Sequence, residues 1–183
     1  NKAIAYHDPS GQWAHFNADF TVVMTTSDRP KRVSNITINL PDSFFSVRAT
    51  RDSVTTYYEM NKGKCRMQYN GQPVDSKSAV TYGMDCNKAL LYQNYYTYLY
   101  GLPMKLKDPG THLSNAPETR QFKGKEYIVL KATYDKSVGS DVWYFYFDPQ
   151  TYAMEVYQFY KTDNAGNLKV DSGEYIPVSY THL

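Results

Sequence analysis

Long apolar runs are missing from this chain of 183 residues: the longest, Val142 to Phe147, falls far short of the roughly 18 residues that a membrane-spanning helix needs. A transmembrane helix is therefore not expected. Charge of one sign is missing too, since 20 Lys and Arg are interleaved with 18 Asp and Glu for a formal balance of +2. Without a basic stripe, no nucleic-acid partner is expected. Histidine is scarce, and His7, His15, His112 and His182 form no HxH, HxxxH or HExxH pair that would set two imidazoles on one metal. Neither a metal site nor a cofactor is expected.

The motifs of covalent catalysis are also lacking. The chain has no GxSxG, no Gly-rich loop opening a helix, and no Cys beside a recognisable His. Glu59, Asp135, Asp141, Asp148 and Glu155 fall at turns and polar strand faces, where carboxylates are usually solvated or structural. The expectation is a protein that is not an enzyme.

Only two cysteines occur, Cys65 and Cys86. As a disulfide they would close a loop of about 20 residues and contribute roughly 3 kcal/mol. The alternative is a pair of buried free thiols; the disulfide is favoured because the spacing permits it.

What the chain has in excess is tyrosine, 19 residues within an aromatic share of 16%. Such rings suit pleated, half-buried surfaces better than helices, which moves the expected class to mainly β. Alternation follows. Phe20, Val22 and Met24 share a face, as do Ile36 and Ile38, then Phe45 and Val47, with turns at Ser27 to Lys31 and at Arg51 to Ser53. After Val54 to Met60 and the turn Asn61 to Lys64, Cys65, Met67 and Tyr69 alternate until Asn70-Gly71.

Beyond Asp85 the period lengthens. Leu91, Tyr95, Tyr98 and Leu102 recur at spacings of three and four, the pattern of a helix over Cys86 to Tyr100, with Asp85 as N-cap and Gly101-Leu102-Pro103 as stop. Such a helix runs about 22 Å, enough to cross several strands, and a disulfide from Cys86 would pin it to the sheet. Lys105 to Gln121 shows neither period and reads as a long loop. Strands resume with Ile128 and Leu130, then Phe145, and return through Met154 and Val156 after a turn at Asp148 to Thr151; Asn164 to Asn167 turns again before a last strand around Glu174 to Val178.

The sum is about nine strands in one curved antiparallel sheet, with one helix too small to cover it. A face rich in apolar residues must be covered or must hold something. The candidate lining is Phe20, Val22, Met24, Ile36, Ile38, Phe45, Val47 and Met67 from the first strand group. Ile128, Leu130, Phe145, Met154 and Val156 come from the second, and Leu91, Tyr95 and Tyr98 from the helix.

Four stretches carry a resemblance: ITINLPDSFFSVRATRDSVTTYY from Ile36, NYYTYLYGLPMKLKDPGT from Asn94, GKEYIVLKATYD from Gly124 and WYFYFDPQTYAMEVYQFYK from Trp143. They resemble an uncharacterised family of exported Gram-negative proteins. The order of strands and helix is similar to the lipoprotein-carrier superfamily, the LolA/LolB-like half-open barrels whose helices plug a concave sheet face. The resemblance implies a single domain over residues 1–183, shortened at both ends; Ser179 to Leu183, by its own residues, reads as non-native sequence. The resemblance also implies a periplasmic or outer-membrane-associated protein that binds a hydrophobic small molecule, lipid or lipoprotein. The alternative expectation is an aromatic-rich carbohydrate-binding module, with Trp143, Tyr144 and Tyr146 as its stacking region.

Overall fold

The structure is a computed structural model and describes residues 1–163, 165–169 and 174–177. The expectations for Asn164, Val178, His182 and the stretch Ser179 to Leu183 lie outside the described residues. The chain is mainly β and divides into two compact units, Ala14–Tyr100, and Asn1–Trp13 with Gly101–Leu183.

The Ala14–Tyr100 unit is an antiparallel meander of β1 (Asn17–Met24), β2 (Arg32–Asn39), β3 (Phe44–Arg51), β4 (Val54–Asn61), β5 (Lys64–Tyr69) and β6 (Gln72–Pro73), each paired with the next in sequence order. Two of its hairpins are closed by consecutive residues of positive φ, Lys62 and Gly63 (48° and 79°) and Asn70 and Gly71 (48° and 82°). That backbone matches the twist of the flanking strands and suits Gly at the second place, where a Cβ would be strained. Alternation then sorts the side chains: Ile36, Ile38, Phe45, Val47, Tyr58 and Met60 are buried on one face, with Asp19, Asn35, Arg48 and Glu59 on the other.

Two helices lie on the sequence after β6. α2 (Ser76–Tyr82) starts where the Asp75 carboxylate accepts the Ser78 N–H at 2.7 Å and ends at Gly83, which has the left-handed φ of 57° that favours glycine. α3 (Cys86–Tyr100) has the expected bounds and N-cap, the Asp85 carboxylate accepting the Lys88 N–H at 2.7 Å. Cys65 and Cys86 are bonded, so the first turn of α3 is tied to β5.

The rotation of α3 differs from the expected one. Leu91 is 62% and Tyr95 51% exposed, and Tyr98 is half-buried. The face that packs on the sheet carries Cys86, Ala89, Tyr92, Tyr96 and Tyr100. Tyrosines lie all round this helix, so apolar spacing alone does not choose a face. The disulfide and the small Ala89, 0% exposed, choose it by letting the backbone come close.

In the other unit, β7 (Thr111–Leu113), β8 (Glu118–Phe122), β9 (Lys125–Tyr134), β10 (Val142–Phe147), β11 (Met154–Tyr160) and β12 (Glu174–Pro177) form a second sheet in the order β12-β11-β10-β9-β7, with β8 also paired to β9. The expected loop from Lys105 to Gln121 thus contains β7 and most of β8. Short edge strands built from Thr, His, Glu and Arg give no alternation to read. The short helix α1 (Lys2–His7) also belongs to this unit, where buried His7 accepts the Met154 N–H at 2.9 Å.

Two findings revise the expected sheet. Among the described residues the strands form two antiparallel sheets, neither closed on itself, rather than one continuous sheet. Alternation tells which face a residue takes but not which strand its own strand pairs with. Second, a register shift between Tyr146 and Phe147 separates Met154 from Val156. Met154 lies opposite Phe147, on the face of Phe145, Ile128 and Leu130, whereas Val156 lies opposite Tyr146 on the other face with Tyr127, Val129 and Tyr144. A β-bulge of this kind shifts every later residue by one place, and strict alternation across it fails.

A half-covered sheet face with two opposed arginines

The registers of β1 to β5 define four rows across the face that meets α3. The first is Ala18, Ile38, Phe45, Met60 and Cys65; the second is Phe20, Ile36, Val47, Tyr58 and Met67. The third is Val22, Ser34, Ala49, Thr56 and Tyr69, and the fourth Met24, Arg32, Arg51 and Val54. The sheet therefore brings together all eight of the lining residues expected from its strands. Phe145, Met154, Ile128 and Leu130 share one face of the second sheet, and Val156 does not join them.

Helix α3 covers the first two rows. Its Tyr96 ring stacks on Phe45 with centroids 6.2 Å apart, Tyr92 meets Tyr58 edge-on at 5.2 Å and Tyr100 lies 4.3 Å from Phe20. Burial among these rings pushes the Tyr58 hydroxyl up to about 12 and raises that of Tyr100.

Cover weakens along the third and fourth rows. Val22, Ala49, Thr56 and Tyr69 are half-buried, while Met24 and Val54 are 37% and 36% exposed. Tyr69 is itself partly roofed by Tyr82 of α2, the rings stacked with centroids 3.8 Å apart. Beside it, Met67, Val74, Ala79, Val80 and Met84 line a groove of about 490 Å³ between β5 and α2, and Val80 is 84% exposed.

The polar groups of the last two rows are unusual. Arg32 and Arg51 stand directly opposite each other on neighbouring strands, where like charges repel. Neither makes an ion pair among the described residues; Arg32 only donates from Nη2 to the Tyr96 hydroxyl at 3.4 Å. Arg66 and Arg120, in contrast, pair with Glu59 and Glu118 at 2.7 Å. Arg32 Nε, Arg51 Nε and the Oγ of Ser34, a residue 0% exposed, are buried without a hydrogen-bond partner among the described residues.

A family model matches residues 1–183. The chain belongs to the family of unknown function DUF6503. No curated protein and no solved structure matches the chain. For this member of DUF6503 the chemistry must be taken from the face itself: an apolar floor of Val22, Met24, Ala49 and Val54 bordered by two guanidinium groups and two hydroxyls.

Arg32, Ser34 and Arg51 were legible in principle, because they occupy the inward places of strands whose other inward places are apolar. Tyr96 and Met84, 4% and 3% exposed, gave no such signal within their mixed surroundings. The reverse face of the sheet holds a polar depression of about 480 Å³ bordered by Asp19, Thr21, Asn35, Ser46, Arg48 and Tyr57, with the Arg48 guanidinium 4.8 Å from the Tyr57 ring. In the other unit Tyr144 and Tyr146 are 8% and 1% exposed, and Trp143 stacks on Phe159 at 5.0 Å. Tyr144 and Tyr146 thus offer no open ring for a sugar to stack on.

Proposed function

We propose that this protein is a non-catalytic binding protein that holds an apolar ligand, an acyl chain or the lipid of a lipoprotein, on the α3 side of the β1–β6 sheet. In this reading that sheet is the curved wall of a LolA/LolB-like half-open barrel, and α3 plugs only part of its concave face. The observation that carries the reading is the loss of cover between the second and fourth rows, since Phe45 and Tyr58 of the first two rows are buried whereas Met24 and Val54 of the fourth are 37% and 36% exposed. Apolar surface left at the edge of a core is favourable to bury, at about 25 cal/mol per Å². The Cys65 to Cys86 disulfide supports an exported protein of the periplasm or outer membrane, since such bonds persist in oxidising compartments.

Displacement of a fluorescent fatty acid tests this. Saturable binding is expected, weakened about tenfold or more by Ala49→Trp, which sets a bulky ring in the third row. Absence of saturable binding to the folded wild-type chain refutes the proposal.

A further inference from the structure

We infer that Arg32 and Arg51, with Ser34 and Tyr96, form a site for an anionic headgroup, a carboxylate or a phosphoryl group. The inference starts from a cost that nothing in the described residues offsets. Arg32 and Arg51 stand opposite each other on β2 and β3, each with a buried Nε that has no acceptor among the described residues, and the buried hydroxyl of Ser34, in the neighbouring row, also lacks a partner there. Buried donors without acceptors are expensive, and here the buried donors belong to half-buried side chains of like charge. This chain pairs Arg66 and Arg120 with glutamates, yet supplies no carboxylate to Arg32 or Arg51 among the described residues. An oxyanion would accept from the guanidinium groups of both arginines, and would reach the buried Nε atoms and the Ser34 hydroxyl only where the side chains over them move aside.

The neighbours of the pair restrict the class of anion. Met24 lies opposite Arg32 and Val54 opposite Arg51, so apolar side chains flank the charges on both sides. Val22 and Ala49 continue the apolar surface toward the helix. That sequence, charge at the edge and apolar floor inward, fits an amphiphile whose head sits on the arginines and whose chain runs along the third row. The tail of this inference rests on the binding-face reading above; the headgroup does not.

The test uses the full chain with three probes: dodecanoate, dodecanol, and inorganic phosphate against chloride at equal ionic strength. Wild type is expected to bind dodecanoate about tenfold or more tightly than dodecanol, and Arg32→Gln or Arg51→Gln to remove that preference by weakening dodecanoate far more than dodecanol. Arg51→Lys keeps the charge but not the fork and should recover only part of it. Phosphate should raise the melting temperature of wild type and of neither Gln variant. Equal affinity for acid and alcohol in wild type, with no phosphate effect, overturns the headgroup site and leaves the apolar face standing. Phosphate stabilisation lost in the Gln variants, with neither amphiphile bound, upholds the anion site as one for a free anion and overturns the acyl reading.

Discussion

Replacing Ser34 by alanine is expected to stabilise the ligand-free protein, the reverse of what truncating a fully buried side chain usually does. The Ser34 hydroxyl is withdrawn from water without gaining a hydrogen bond, a penalty of about 1–3 kcal/mol that alanine escapes. Against this stands the loss of one small atom's packing contacts, on the order of 0.5 kcal/mol, and a small difference in strand preference. The net gain is about 1 kcal/mol. Urea unfolding of wild type and Ser34→Ala, followed by far-UV circular dichroism, should show a higher midpoint at unchanged slope. If an anion occupies the site, saturating dodecanoate should stabilise wild type more than the variant and reduce the difference. A variant that is less stable by 1 kcal/mol or more without ligand would mean the hydroxyl is paired, and the reasoning about this patch would fail.

Other consequences can be checked in the same way. The Cys65 to Cys86 bond spans 21 residues of sequence, so Cys65→Ala with Cys86→Ala should cost about 3 kcal/mol and lower amide protection in α3 first; a loss below about 1 kcal/mol would contradict the pinning role. Phe145 is 0% exposed, and Phe145→Ala should cost about 3–5 kcal/mol in thermal or urea unfolding, whereas a small loss would place that ring at an unfilled space. The Lys125 ammonium, 2.6 Å from Asp148, and the N–H groups of Thr151 and Gln150 hold the Asp148 carboxyl well below its usual range. Its stabilisation is thus complete above the unfolded value near 4 and is lost as pH falls toward the lower folded value. Asp148→Asn should flatten the acid limb of a stability profile below about pH 4, and an unchanged limb would refute the assignment.

Much of this fold was legible because its local signals agree. The strands from Asn17 to Tyr69 alternate over most of their length, Asn70-Gly71 marks a tight hairpin, and Asp85 caps α3 at the expected residue. What escaped was decided at longer range. The face of α3 depends on a disulfide and on Ala89, not on the spacing of Leu91 and Tyr95. The separation of Met154 from Val156 depends on a bulge that no residue type announces. Partition into two sheets depends on pairings between strands, which a binary pattern does not encode. The candidate site was half visible: its apolar floor follows from alternation, and its arginines were the exceptions within that same pattern.

The central claim, ligand held over the third and fourth rows, is tested most directly by methyl NMR on the native methionines and alanines. Met24 and Ala49 lie on the half-covered rows, while Met60 is packed under α3 and Met154 is 2% exposed in the other unit. Titrated dodecanoate should shift the Met24 and Ala49 methyl signals saturably and leave those of Met60 and Met154 in place. Unmoved Met24 and Ala49 signals, or saturable shifts centred on Met154, would contradict the account.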